Sequence, residues 1–181
     1  KLTVKEILQY KGNKKLTEVY VHNPLEAESC ELAEVEMIVS SENNDIQGIR
    51  NAAKNTFLTV GLQYGKYLTE LDILNRCFYL YENGADAIYC PQSCKFIKAI
   101  SDEGIPVVGH LGLLPQSINK LGRYSIQAKS ESEQNKLMDD ALLLESLGAC
   151  SLILECIPSE LADKVSSCLS IPTIGIGAGL E

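Results

Sequence analysis

Seven short apolar runs, each separated from the next by a longer polar or amphipathic segment, constrain this chain more than any other feature. The runs are Leu16–Val21, Glu36–Ser40, Thr56–Gly61, Ala85–Cys90, Pro106–Leu111, Ser151–Cys156 and Pro172–Ile176. Each is close to continuous rather than alternating, the pattern of parallel strands covered on both faces. Between them, Tyr67–Asn83 carries Leu68, Leu71, Leu74, Phe78 and Tyr81 near helical spacing, which predicts a helix with that stripe inward. Glu131–Leu147 carries Leu137, Met138, Ala141, Leu142 and Leu144 in the same way. Asn83-Gly84-Ala85, Glu103-Gly104-Ile105 and Leu147-Gly148-Ala149 each place a glycine where a helix ends in a left-handed residue just before a strand. Strand, helix, strand, repeated, predicts an α/β fold with a parallel sheet. Seven such units read as a shortened parallel (β/α) barrel of the TIM-barrel type, whose usual length is about 250 residues. No low-complexity linker divides residues 1–181, so the expectation is one barrel-like domain lacking its last βα unit. Leu180-Glu181 reads as a cloning scar before a lost affinity tag.

Composition narrows the function classes. A net charge of -8 opposes general affinity for nucleic acid and for anionic membranes. No apolar run reaches the roughly 20 residues of a membrane span. The opening Lys1-Leu2-Thr3-Val4-Lys5-Glu6 lacks the apolar stretch of a signal peptide. The seven cysteines include no C-x-x-C pair, so they are expected as buried or half-buried reduced thiols in a cytoplasmic protein.

A parallel barrel gathers its site at the carboxyl ends of its strands. Those ends are Ser40-Ser41-Glu42, Gly109-His110-Leu111-Gly112-Leu113, Leu154-Glu155-Cys156 and Gly175-Ile176-Gly177-Ala178-Gly179. His110 in its glycine-flanked strand end is either a hydrogen-bonded structural histidine or a substrate and proton-transfer group. Glu155 is a lone carboxylate in an apolar run, costly there unless paired or functional, and suited to general acid or base work. The glycines of 175–179 could admit an anion to bare backbone.

The stretch Gly109-His110-Leu111-Gly112-Leu113-Leu114-Pro115-Gln116-Ser117 resembles the G-H-[IL]-G-L-T-P-Q-S motif of the ketopantoate hydroxymethyltransferase family. The resemblance continues through Gly122-Arg123-Tyr124, Gln127, Asp140-Ala141-Leu142, Leu154-Glu155-Cys156-Ile157-Pro158, Glu160-Leu161-Ala162 and Ile171–Gly179. It is nearly gapless over residues 104–179, and residues 16–103 match in outline. It implies a βα-barrel that moves a one-carbon unit from methylenetetrahydrofolate onto α-ketoisovalerate, on the route to pantothenate. It implies Mg²⁺ chelated by the keto acid, Glu155 as catalytic base, and His110 and Ser41 on the substrate side. It also implies a homo-oligomer.

The family carries V-G-D-S after strand two, where this chain has Val39-Ser40-Ser41-Glu42. The A-D-[LM]-P of strand three is Val60-Gly61-Leu62-Gln63, and the V-K-[IL]-E of strand four is Tyr89-Cys90-Pro91 after Ile88. Ser41, Gly61 and Pro91 thus stand at the three metal-ligand positions, and Tyr89 at that of the substrate lysine. The segment that follows strand two in the family is largely missing here. Glu42 and Asp45 are the nearest carboxylates to stand in. Three readings remain open: a hydroxymethyltransferase, a non-catalytic interaction or regulatory member (a pseudoenzyme), and a metal-independent enzyme on another keto acid.

Overall fold

The computed structural model describes residues 1–179, so the reading of Leu180-Glu181 as a scar lies outside the described residues. The elements run α1 (Val4–Tyr10), β1 (Glu18–Tyr20), α2 (Pro24–Leu32), β2 (Met37–Ser41), α3 (Ile46–Ala52), β3 (Phe57–Gly61), α4 (Glu70–Glu82), β4 (Ala87–Tyr89), α5 (Cys94–Asp102), β5 (Val107–Gly112), a 3₁₀ turn (Pro115–Ser117), α6 (Ile118–Leu121), α7 (Glu131–Ser146), β6 (Ser151–Glu155), α8 (Ser159–Cys168) and β7 (Thr173–Ile176). All seven expected strands are present, several trimmed at the ends. They form one sheet in the order β1 to β7, and every pairing is parallel.

Side chains alternate across a strand, and here the two faces build two separate cores. One face packs against the helices through Ile38, Leu58, Val60, Ile88, Val107, Leu152 and Leu154. The other face gathers Met37, Phe57, Ala87, Val108 and Ile153 into a single cluster. Residues from five successive strands can share one cluster only if the sheet curls around them, as in a TIM-type barrel. Ile7 of α1 belongs to that same inner cluster, with Leu2 and Val4 against it, so α1 closes the floor of the barrel. Among the described residues, no helix is long and apolar enough to cross a membrane.

Three expectations about burial need correction. In α4 the buried face is Ile73, Cys77 and Leu80, while Leu68 and Leu71 are 78% and 69% exposed and Phe78 and Tyr81 are also exposed. Leu74 of the expected stripe is partly buried and packs against the helix-side core with Ile73, Cys77 and Leu80. Leu142 of α7 is likewise exposed, whereas Leu137, Ala141 and Leu144 are buried. All seven cysteines are free, but Cys168 at the end of α8 is exposed rather than buried.

The glycine stops form as the spacing predicts. Gly84, Gly104 and Gly148 have φ of 104°, 77° and 90°. After each, two backbone N–H groups return to the last helical turn, as Ala85 to Leu80 and Gly84 to Tyr81. The end of α2 makes the same pair of bonds, Val35 to Cys30 and Glu34 to Glu31, but with Glu34 as the left-handed residue at φ 56°.

Acidic side chains tie the amino-terminal ends of the strands. Glu31 accepts from the backbone N–H of Asn55 and Thr56. Glu36 accepts from Thr17 N–H, and Glu145 from Ser170 and Ile171 N–H. Asp86 accepts from Leu58 N–H and Arg50 and pairs with Lys1. Arg50 also donates to the carbonyls of Ala53, Thr56 and Gly84.

Candidate active site

The carboxyl ends of β2 to β6 form the barrel mouth. Parity decides which residues face it. Met37, Val39 and Ser41 share one face of β2, so Ser41 looks inward with the inner core while Glu42 turns to the helices. The register Ser41↔Gly61↔Tyr89 continues that inner layer across β3 and β4. On β5 and β6, His110 lies one pleat above Val108, and Glu155 one pleat above Ile153.

The structure brings His110 and Glu155 together. His110 Nε2 lies 3.2 Å from Glu155 Oε2. The approach is too poorly aligned for a hydrogen bond, and among the described residues Nε2 has no other hydrogen-bond partner. On the other side of the ring, the Tyr89 hydroxyl lies 2.6 Å from His110 Nδ1. Tyr89, His110 and Glu155 therefore form a chain across three adjacent strand ends. Burial lowers the His110 pKa to about 4, against a smaller upward pull from the Leu113 backbone, so the ring is neutral at pH 7. Burial raises the Glu155 pKa. Burial first, then the charge of Glu155, raises that of Tyr89, which keeps its proton. A protonated phenol can donate to Nδ1 or accept from it; when it donates, the imidazole proton sits on Nε2, on the side of Glu155.

Backbone shape maintains this contact. Gly112 has φ 92°, and a Cβ there would stand 2.1 Å from the Glu155 carbonyl oxygen. Only glycine lets the end of β5 lie so close beside Glu155. Cys156, next in the chain, holds φ 50°, an uncommon conformation for a side-chain-bearing residue. Gly179 is required by packing, since a Cβ would meet Ser159 Cβ at 2.6 Å.

Ser41 is not joined to that chain by any hydrogen bond among the described residues. Its Oγ accepts from Asn43 N–H. Glu42 is fully engaged elsewhere: it accepts from Arg76 Nε at 2.7 Å, from Gln63 N–H at 2.8 Å and from the Tyr67 hydroxyl, with Lys66 at 3.6 Å. Burial pushes its pKa up, but these donors and cations outweigh it and hold the carboxylate below its ordinary range. Asp45 caps α3 by accepting from Gly48 N–H.

This donor set does not fit a divalent cation such as Mg²⁺, which requires several hard oxygen ligands. Ser41 offers one neutral oxygen, Gly61 and Pro91 offer no side-chain ligand, and Glu42 and Asp45 are occupied. Among the described residues, no three His, Cys, Asp or Glu side chains gather where one ion could sit. A Cβ on Gly61 would lie 3.1 Å from Tyr89 Cδ1, so the tyrosine ring stands against the place where a side chain at 61 would emerge. Sequence reasoning noted the loss at positions 61 and 89 separately. The signal that links them is their direct pairing in register, a bare glycine opposite an aromatic ring.

Comparison with known proteins places this geometry. A 3-methyl-2-oxobutanoate hydroxymethyltransferase of Lysinibacillus sphaericus (strain C3-41) is 44% identical over 137 residues, 73% of this chain. The match spans 49% of that protein, so this chain corresponds to about half its length. A protein of the same name from Thermosipho africanus (strain TCF52B) is 34% identical over 202 residues, covering 98% of this chain and 76% of its own. Since this chain has 181 residues, that relative carries at least 21 residues in the matched region with no counterpart here. Among solved structures, phosphonopyruvate hydrolase, described in complex with oxalate and Mg²⁺, superposes with a TM-score of 0.62 at 14% identity, over 98% of this chain and 82% of its own. That likeness shows the fold, a parallel βα-barrel. The family model described as ketopantoate hydroxymethyltransferase matches residues 40–181, from the end of β2 through both members of the His110–Glu155 contact. With that match and relatives 34–44% identical, the chain belongs to the ketopantoate hydroxymethyltransferase family.

Proposed function

We propose that this chain keeps the keto-acid half of the family's site and has lost the metal-dependent half. Its mouth binds a small 2-keto acid beside His110 and Glu155. Turnover of α-ketoisovalerate with methylenetetrahydrofolate and Mg²⁺ is weak or absent. The observation that carries this reading is the Tyr89 ring lying against Gly61, where the family holds a carboxylate. Removing a proton from the carbon beside a keto group leaves an enolate, and its charge needs a counterpart. In this reading Glu155 takes the proton. One lost electrostatic partner in such a site lowers the rate by roughly 10²- to 10³-fold, and three ligand positions are empty of carboxylates here.

The test is the exchange of the β-proton of α-ketoisovalerate in deuterated buffer, followed by proton NMR, with and without millimolar Mg²⁺. No metal-stimulated exchange is expected. Metal-stimulated exchange that disappears in Glu155→Gln would refute the reading. The Tyr89–His110–Glu155 chain favours a second reading, metal-independent proton transfer on another keto acid. It predicts Glu155-dependent exchange in some member of a 2-keto acid panel in the presence of EDTA.

A further inference from the structure

Five buried side-chain polar atoms among the described residues lack a hydrogen-bond partner. Three of them are nitrogens that cluster by position in the fold: Gln92 Nε2, His110 Nε2 and Gln116 Nε2. Gln92 lies in the loop leaving β4, His110 on β5, and Gln116 in the 3₁₀ turn that follows β5. All three belong to the mouth. Burying an N–H without an acceptor costs about 1–3 kcal/mol, so three at one end of a barrel mark a place that a ligand's oxygens complete.

We propose that this mouth recognises the carboxylate and keto oxygens of a small 2-keto acid through neutral N–H donors, led by His110 Nε2, without a divalent cation, and that Tyr89 is the residue that aims the His110 donor. The proposal rests on the reading that the mouth binds a keto acid, and deepens it by stating how. A glutamine amide can turn to offer either end, so His110 decides the sign of the site. Its side chain is only 4% exposed. In this proposal the Tyr89 hydroxyl, 2.6 Å from Nδ1, is the donor there, which puts the imidazole proton on Nε2, 3.2 Å from Glu155 Oε2 and without a hydrogen bond. A phenol in place of a substrate lysine supplies no charge, but it fixes the tautomer. Gly61 is what makes room for it, since a Cβ there would press on the ring at 3.1 Å. The missing carboxylate at 61 and the tyrosine at 89 are thus one change. It exchanges a site built on cation charge for one built on neutral donors in a low-dielectric setting, where each hydrogen bond is stronger than in water.

Two measurements on the whole chain test this. The first is titration calorimetry with α-ketoisovalerate and with oxalate, in EDTA and in millimolar Mg²⁺. Binding in EDTA is expected, changed less than about twofold by Mg²⁺. Binding that requires Mg²⁺ overturns the neutral-donor inference and leaves the keto-acid reading standing. Binding of neither compound in either condition overturns the keto-acid reading and the inference with it. The second is the ¹⁵N spectrum of the ligand-free protein, which has only two histidines, His22 and His110. His110 is expected to show a proton on Nε2 and an acceptor at Nδ1 near neutral pH. The opposite tautomer, or an even mixture, overturns the role of Tyr89. In Tyr89→Phe the His110 tautomers should mix and binding should weaken about three- to tenfold, the loss of one neutral hydrogen bond. A Tyr89→Phe protein with the wild-type tautomer also overturns it.

Discussion

Glu18 gives the barrel interior a pH-dependent weakness that can be worked out in advance. It pairs with Met37 across β1 and β2 and therefore shares the inward layer. Its Oε1 and the Thr59 hydroxyl are both shut off from solvent. Burial raises the Glu18 pKa from 4.5 to about 7, with a smaller opposing pull from Thr59. Below pH 4.5 the carboxyl is neutral in both folded and unfolded chains, and its contribution to stability is fully present. As pH rises through 7, the folded chain must either charge a buried group or hold a proton that the unfolded chain releases, so that contribution is lost. A gap of about 2.5 pH units, at about 1.36 kcal/mol per unit, is about 3 kcal/mol. Glu18→Gln keeps the shape and removes the titration. Urea denaturation of both proteins, followed by circular dichroism between about pH 4.5 and pH 8.5, isolates the effect, because every other titrating group is common to the two. The stability of Glu18→Gln relative to wild type should grow by about 3 kcal/mol across that range, or about 6–12 °C in Tm. A difference that stays flat within about 1 kcal/mol would refute the reasoning, since the carboxylate would then be solvated or paired.

Glu34→Gly should stabilise the fold by about 1 kcal/mol, because a left-handed glutamate ends α2 where the three parallel caps use glycine; an unchanged or lower Tm would count against it. Gly112→Ala should destabilise by about 3 kcal/mol through its positive φ and its overlap with the Glu155 carbonyl, and a thermal melt within about 1 °C of wild type would contradict that. Arg76→Ala should cost about 2 kcal/mol at neutral pH by removing one charge-assisted hydrogen bond from the buried Glu42 carboxylate, which keeps Tyr67, Gln63 and Lys66. Because the folded pKa of Glu42 is lowered, that contribution is present above about pH 4.5 and fades as pH falls through the folded value; a loss that grows toward acid would be the wrong sign.

The strands were legible in the sequence because a parallel strand covered on both faces is close to continuously apolar over a short run, and here each such run is bounded by a longer polar or amphipathic segment. The glycine stops were legible for a similar reason, since Gly84, Gly104 and Gly148 do what few residues do cheaply. Glu34 makes the same turn and leaves no such trace, because the backbone there is forced by the bonds of Glu34 and Val35 back into α2 rather than by residue type. The buried face of α4 was not legible because apolar residues occur on more than one side of the helix, Leu71 and Phe78 as well as Ile73, Cys77 and Leu80, and only docking onto the sheet selects between them. In the structure its first turn is fixed by Thr69 and Asp72, which cap each other. At the mouth, His110 and Glu155 stand out as polar groups at apolar strand ends. Tyr89 does not, since its hydroxyl acquires meaning only from Nδ1 across two paired strands.

Glu31, Glu36, Asp86 and Glu145 all tie the chain at the amino-terminal ends of the strands, far along each strand from the mouth. Such a layout separates two kinds of inheritance. The floor fixes where each strand begins, and its ties run from side chain to backbone N–H, so they survive changes of residue identity at the receiving end. Residues at the opposite ends that take no part in such ties or close backbone approaches can then be exchanged without moving where the strands begin. A lineage with this architecture can discard a catalytic constellation and still transmit its scaffold intact, which makes the mouth a free field for selection on a new ligand.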